Sequence, residues 1–209
     1  MSIRTSVRAS VRTNRRTAAV LFGAALLAAA TTACGPADNS VSTTPKSTAA
    51  ATGAAAGGSP QAQGGEAKSS TAKVGDTIAL KGTEKTNTAD VTVVKVVDNP
   101  EGADEFSKPA DGKRFVAVQF RIKATGSAAY ADAPQNSAKL LDAQGQGFGS
   151  SIASETKAGP EFPVPANIAP GESALGFITF EVPADAKIDK IQFALDSGFA
   201  QQTGQWKVG

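Results

Sequence analysis

From Lys73 onward the apolar residues recur at every second position, and no stretch of ten residues carries the 3.6-residue period of an amphipathic helix. That period limits this part of the chain to sheets. Residues 114–125 show it most clearly, with Val116, Val118, Phe120, Ile122 and Ala124 on one face and Gln119, Arg121 and Lys123 on the other. Residues 90–98 enclose Val-Thr-Val-Val-Lys-Val-Val between two aspartates, a β-branched run of high strand propensity. Further strands are expected at 76–81, 139–142, around Phe148, 174–182, 187–195 and 205–208, where Trp206 and Val208 close the chain. Residues 143–147, Ala-Gln-Gly-Gln-Gly, suit a hairpin turn, and Pro170-Gly171 suits a tight turn before the next strand. Residues 159–169 hold Pro160, Pro163 and Pro165, so they read as an irregular crossover rather than a central strand. Short strands joined by turns, with no helices to cover a parallel sheet, predict an all-β chain. The expected architecture is an antiparallel immunoglobulin-like β-sandwich of about seven to eight strands over residues 73–209.

Two absences narrow the chemistry. The chain has no histidine, the commonest general base and metal ligand. It has one cysteine, Cys34, so zinc, copper, haem and iron–sulfur sites of the usual kinds are not expected, nor any other cofactor. The sandwich must also hold without a disulfide.

The first 33 residues are an address. Arg4, Arg8, Arg12, Arg15 and Arg16 precede an apolar run from Ala18 to Ala30 with no acid among them. Thirteen helical residues reach about 20 Å, short of the roughly 30 Å hydrocarbon core of a bilayer. A basic stretch, a short apolar run and small residues after it make a secretory signal peptide over 1–33. It ends Thr31-Thr32-Ala33-Cys34-Gly35, which looks like a bacterial lipobox with Thr31 where leucine is usual. On that reading Cys34 becomes the lipidated first residue of the mature protein, and two acyl chains suffice for stable anchoring. Ordinary cleavage after Ala33 is the plainer alternative. Arg15-Arg16 also admits the twin-arginine export route beside the general secretory one.

Loss of the signal reverses the charge. The precursor carries 21 basic and 19 acidic side chains, and removal of five arginines leaves a net charge of −3. A mildly acidic mature protein offers no electrostatic case for nucleic acid. Residues 34–72 follow as the lipidated cysteine and a tether rich in Ala, Gly, Ser and Thr, whose one larger apolar residue is Val41. Such a composition is expected to form a flexible linker, with a root-mean-square reach of roughly 35 Å.

Several motifs then fall in a recognisable order. They are Val74-Gly75-Asp76, Gly112-Lys113-Arg114-Phe115-Val116-Ala117-Val118, Leu141-Asp142-Ala143-Gln144-Gly145, Ile168-Ala169-Pro170-Gly171-Glu172 and Gly176-Phe177-Ile178-Thr179-Phe180-Glu181-Val182-Pro183. Together they resemble the uncharacterised immunoglobulin-like lipoprotein domain of Gram-positive bacteria, a domain of unknown function related in fold to a secreted mycobacterial immunoprotective antigen. The resemblance covers about residues 73–208, with Lys123-Ala124-Thr125-Gly126 where the family often has Asn before Thr-Gly. It implies a sandwich and an extracytoplasmic place, and it brings no catalytic residues.

Other chemistry is thinly supported. Ser154-x-x-Lys157 and Ser70-x-x-Lys73 have a Ser–Lys spacing used in acyl transfer, but the Lys-Thr-Gly strand that accompanies it is missing. Asp98, Glu101, Asp104 and Glu105 cluster between two strands and are weak candidates for Ca²⁺, a solvated loop being the plainer reading. Phe115, Phe162, Phe177 and Phe199 fall on outward positions or in loops, where they either pack under the long loop or mark a partner surface. The expected function is a non-catalytic binding or interaction module, anchored on the extracytoplasmic face of the membrane through Cys34. Its partner would be a protein, a cell-wall glycan or a small ligand. The alternative is an accessory cell-envelope hydrolase using loop carboxylates. Cys34→Ser is expected to move the protein from the membrane fraction to the medium, or to leave an unprocessed precursor. Mature protein still sedimenting with membranes would show the anchor to lie elsewhere.

Overall fold

Residues 39–47, 71–151 and 155–209 are described in the computed structural model, all within the compact unit Pro36–Gly209. In chain order the strands are β1 (Ser40–Ser42), β2 (Thr77–Lys81), β3 (Thr88–Asp98), β4 (Lys113–Ala124), β5 (Tyr130–Asp132), β6 (Ala138–Asp142), β7 (Gly147–Gly149), β8 (Ala166–Ile168), β9 (Ser173–Pro183), β10 (Ile188–Ala194) and β11 (Gln202–Lys207). One sheet has the order β2-β3-β4-β9, and the other β1-β11-β10-β6-β7. A two-stranded ribbon pairs β5 with β8. All pairings are antiparallel except β1 on β11.

The alternation in β4 becomes the centre of the molecule. Val116, Val118, Phe120, Ile122 and Ala124 are all buried and belong to one core cluster with Ile178, Phe180 and Val182 of β9. From the facing sheet come Leu140, Ile191, Phe193 and Trp206. Phe120 meets Phe193 across the two sheets at 5.3 Å between ring centroids, a tilted aromatic pair. Trp206 satisfies its indole by donating to the Asp76 carbonyl at 2.9 Å, so the large ring is buried with no orphaned donor.

The hairpin expected at 143–147 joins β6 to β7, with Asp142 Oδ1 accepting from the amides of Gln144 and Gln146 and Gly145 at φ 86°. This turn lies at the end of the sandwich that also holds residues 99–112 and 184–187, since Ile188 pairs with Asp142 and Lys113 with Pro183. The opposite end holds the start of β1, the turn between β10 and β11, and the β2–β3 loop, tied to it by Lys81 N donating to Gln202 Oε1.

Three expectations need correction. The linker reading of residues 34–72 fails at its described N-terminal part, because β1 pairs in register with β11 along Ser40↔Gln202, Val41↔Thr203 and Ser42↔Gly204. The strap continues to the other sheet. Lys46 N donates to Thr77 O at 2.6 Å, Lys46 Nζ pairs with Asp90, and Ala72 N donates to Thr43 O at 2.6 Å. A backbone ladder needs no apolar side chains, which is why composition was silent there. Second, the two main sheets hold nine strands rather than seven to eight, the added one being β1. Third, the crossover ends in β8, and one four-residue helix, Pro134–Ser137, interrupts the β pattern. The signal peptide and Cys34 lie outside the described residues.

Phe120→Ala is expected to destabilise the domain by about 3–5 kcal/mol. Gln119→Ala, one position along on the outer face and half-buried, is expected to cost within about 0.5 kcal/mol. Denaturant melts of both variants check the contrast, and equal losses would mean that Phe120 does not join the sheets.

Candidate functional site

Outward-facing positions of a strand normally carry polar residues, yet Phe115, Ala117, Phe177 and Thr179 alternate outward on β4 and β9 and are all buried. Their cover is supplied by irregular chain along the free edge of β9. Phe162 N donates to Phe177 O at 2.8 Å, Phe177 N to Pro160 O at 2.9 Å, and Ser151 N to Thr179 O at 2.8 Å. Gly176 permits this approach, since a Cβ there would stand 2.5 Å from Phe162 Cα. Phe177 is further closed in by Gly159, and Lys95 Nζ lies 5.1 Å from its ring centroid.

The cover is incomplete. A groove of about 230 Å³ remains between it and β9, lined by Gln135, Glu161, Val164, Phe177, Ile178 and Thr179 among others. Among the described residues three buried side-chain polar atoms lack a hydrogen-bond partner: Tyr130 Oη, Gln135 Oε1 and Thr179 Oγ1. Two of the three are in residues of this groove. Gln135 donates its Nε2 to Phe162 O at 2.8 Å, which turns Oε1 into an acceptor awaiting a donor. Thr179 is only 2% exposed; its hydroxyl favours the ionised Glu161 nearby without closing a hydrogen bond of regular geometry. Partial burial, reinforced by the charge of Glu155, pushes the Glu161 carboxyl above the usual glutamate range. Val164, 60% exposed, forms an apolar wall of the groove.

The sequence-derived candidates do not gather here or anywhere else. Asp98 binds Arg114, whose guanidinium also donates to Ala184 O and Ala186 O and so pins the β9–β10 turn. Glu101 pairs with Lys157 at 2.9 Å, which lowers its carboxyl pKa. Asp104 is lowered by hydrogen bonds from Ser107 and the Phe106 amide within its own loop, and Glu105 is exposed. Three of the four carboxylates are thus engaged by neighbouring side chains or amides, and no group of three metal-ligating side chains is found among the described residues. Ser70 and Ser154 lie outside the described residues, while Lys157 is engaged by Glu101. Phe115, Phe162 and Phe177 are packed beneath other chain, whereas Phe199 is 82% exposed.

Sequence reasoning passed over Gln135 and Thr179. The usable signal was the uncharged outward register of β9, where Phe177 and Thr179 precede Glu181. A solvated strand face would carry charge along its length, so an uncharged stretch marks a covered one.

Residues 78–203, from β2 into β11, match the model described as Domain of unknown function (DUF4352). The chain belongs to that family. The matched residues of DUF4352 thus run through both sheets and the groove, and the chain is similar to several solved structures. The secreted protein MPT63 from Mycobacterium tuberculosis is 16% identical, with 65% of this chain and 94% of that one aligned at a TM-score of 0.46. YcdA from Bacillus subtilis, proposed in its name to be a lipoprotein, is 14% identical over 65% of this chain and 38% of its own length, with a TM-score of 0.48. An uncharacterised β-sandwich protein from Clostridium difficile is 13% identical over 71% and 99%, with a TM-score of 0.38. No curated protein matches the chain.

A carboxyl group whose pKa is raised by folding supports the fold while protonated and loses that support as pH climbs through its folded pKa. Glu161→Gln is therefore expected to match the wild type near pH 3 and to exceed it modestly near pH 7, either side of the ordinary glutamate pKa of about 4.3. Chemical melts at the two pH values read the difference. A variant weaker than the wild type at neutral pH would show that the carboxylate is stabilised by a partner instead.

Proposed function

We propose that this DUF4352 protein is an extracytoplasmic lipoprotein, anchored through Cys34, whose sandwich binds a small donor-rich ligand in the groove beside β9 without catalysing a reaction. One observation carries the reading: Gln135 Oε1 and Thr179 Oγ1 are buried polar atoms that close no regular hydrogen bond, in residues of a single concavity. Each such atom costs about 1–3 kcal/mol while unmet. A ligand that supplies hydroxyl or amide hydrogens recovers that energy on binding, and Glu161 adds an acceptor at the rim. Val164 offers an aliphatic wall to the carbon skeleton of the ligand. Cell-wall glycans and their attached peptides combine these features, with many hydroxyl and amide donors on compact, partly apolar frames.

The signal-like segment, the lipobox-like residues around Cys34 and the acidic balance of the mature chain support the location. The hydrolase alternative needs two free carboxyl groups facing each other across a cleft. Asp98 and Glu101 are instead held by Arg114 and Lys157.

Titration of soluble muropeptides into isotopically labelled mature chain carrying Cys34→Ser is expected to shift amides at 133–136, 159–164 and 177–179. Thr179→Val should abolish those shifts and leave the domain as stable as the wild type or up to about 1 kcal/mol more stable, because it deletes an unmet buried hydroxyl. Shifts confined to other surfaces, or binding unchanged in Thr179→Val, would remove the groove from the function.

A further inference from the structure

The pairing of β1 with β11 shortens the tether to a few residues. From Cys34 to Ser40 is six residue steps, a reach of at most about 20 Å even when fully extended. The sandwich is longer than that. β4 alone has 12 residues, which at roughly 3.3 Å each make about 40 Å along the strand direction. An anchor at Cys34 thus keeps the end holding the start of β1 within about 20 Å of the bilayer, while the opposite end is free to stand away from it.

What that near end presents is unusual for a surface in water. Phe199 is 82% exposed and Val41 55% exposed, and they line one shallow concavity with Asn39, Ser40 and Gln201, without a charged side chain among its lining residues. The exposure of Phe199 is built, not incidental. Asp196 and Ser197 both adopt left-handed backbone, at φ 55° and 54°, a conformation that costs non-glycine residues energy and persists only where the surroundings enforce it. Here Asp132 accepts from both the amide and the hydroxyl of Ser197, while the Asp196 carboxylate accepts from Thr83 N and Asn87 Nδ2. Four side-chain hydrogen bonds thus hold the strained turn from which Phe199 projects. Asp98, Glu101, Asp104, Glu105 and Asp185 sit at the opposite end, while the exposed acids of the near end, Glu84 and Glu172, lie outside the residues that line this concavity.

We propose that the end of the sandwich formed by the start of β1 and the β10–β11 turn rests on the lipid bilayer, with Phe199 and Val41 in the headgroup region. This rests on Cys34 being the lipidated residue. The anchor supplies the attachment, and the neutral, partly apolar patch sets the orientation, since its transfer into the interface desolvates no charge. The ligand groove on the β9 edge then opens sideways along the membrane plane.

The full precursor is expressed in a Gram-positive host, and the processed protein is reconstituted into phosphatidylcholine–phosphatidylglycerol vesicles. Because a thioether at Cys34 leaves no free thiol, an introduced cysteine is labelled alone. An environment-sensitive fluorophore on Gln201→Cys is expected to shift to the blue and to be strongly quenched by lipids spin-labelled high on the acyl chain. The same fluorophore on Gln144→Cys, at the opposite end, is expected to report water. Insertion of about twenty Gly/Ser residues after Gly35 together with Phe199→Asp should abolish the quenching at 201 while flotation with the vesicles persists. If the protein floats but position 201 reports water, or is quenched no more than position 144, the seating is wrong and the anchor stands. Protein that fails to float overturns the anchor and the seating together.

Discussion

With no cysteine beyond residue 34, no disulfide joins the two sheets, and everything else in the molecule depends on the side-chain packing between them. Its centre is the Phe120–Phe193 contact, flanked by β-branched residues from β3 and β4 and by Trp206 from β11. Aromatic rings suit this place because each removes a large apolar area from water while losing little rotamer freedom. Gly204 belongs to the same contact: a Cβ there would sit 2.9 Å from the indole of Trp206, so the absence of a side chain on β11 makes room for the ring two residues on. The register of the second sheet is thereby tied to the packing of the first.

A sandwich leaves edge strands with unmet backbone groups, and such edges invite pairing with other chains. Two of the edges are blunted by different means. The β11 edge is covered by β1 and the strap that runs on to Lys46, which bonds to β2 of the opposite sheet. The β9 edge is covered by residues 150–151 and 160–162, which bond to it discontinuously. A discontinuous cover leaves gaps, and the groove with Gln135 and Thr179 is one of them. The binding site proposed above is in this sense a by-product of how an edge was protected.

Alternation along β4, β9 and β10 revealed the core faces from sequence because a half-buried strand exposes its period directly. It could not reveal the burial of Phe115 and Phe177. Period two says which side of a sheet a residue takes, and is silent on what chain lies over that side. β1 was illegible for a related reason, being three residues with one apolar side chain that are held by backbone hydrogen bonds. The acidic stretch from Asp98 to Glu105 suggested a metal loop only because spacing along a chain was read in place of direction in space. Arg114 and Lys157, distant in sequence, draw two of those carboxylates apart. Gln135 carried no sequence signal and Thr179 only the uncharged outward register of β9, since an unmet hydrogen bond is a property of the folded surroundings.

The strap along the β11 edge also changes what the Ala, Gly and Ser tract can be. Lys46, bonded to Thr77, and Ala72, bonded to Thr43, fix both flanks of this tract on one domain. Added length between them costs only about 0.6 kcal/mol for each doubling, and it adds nothing to the six residue steps that separate Cys34 from β1.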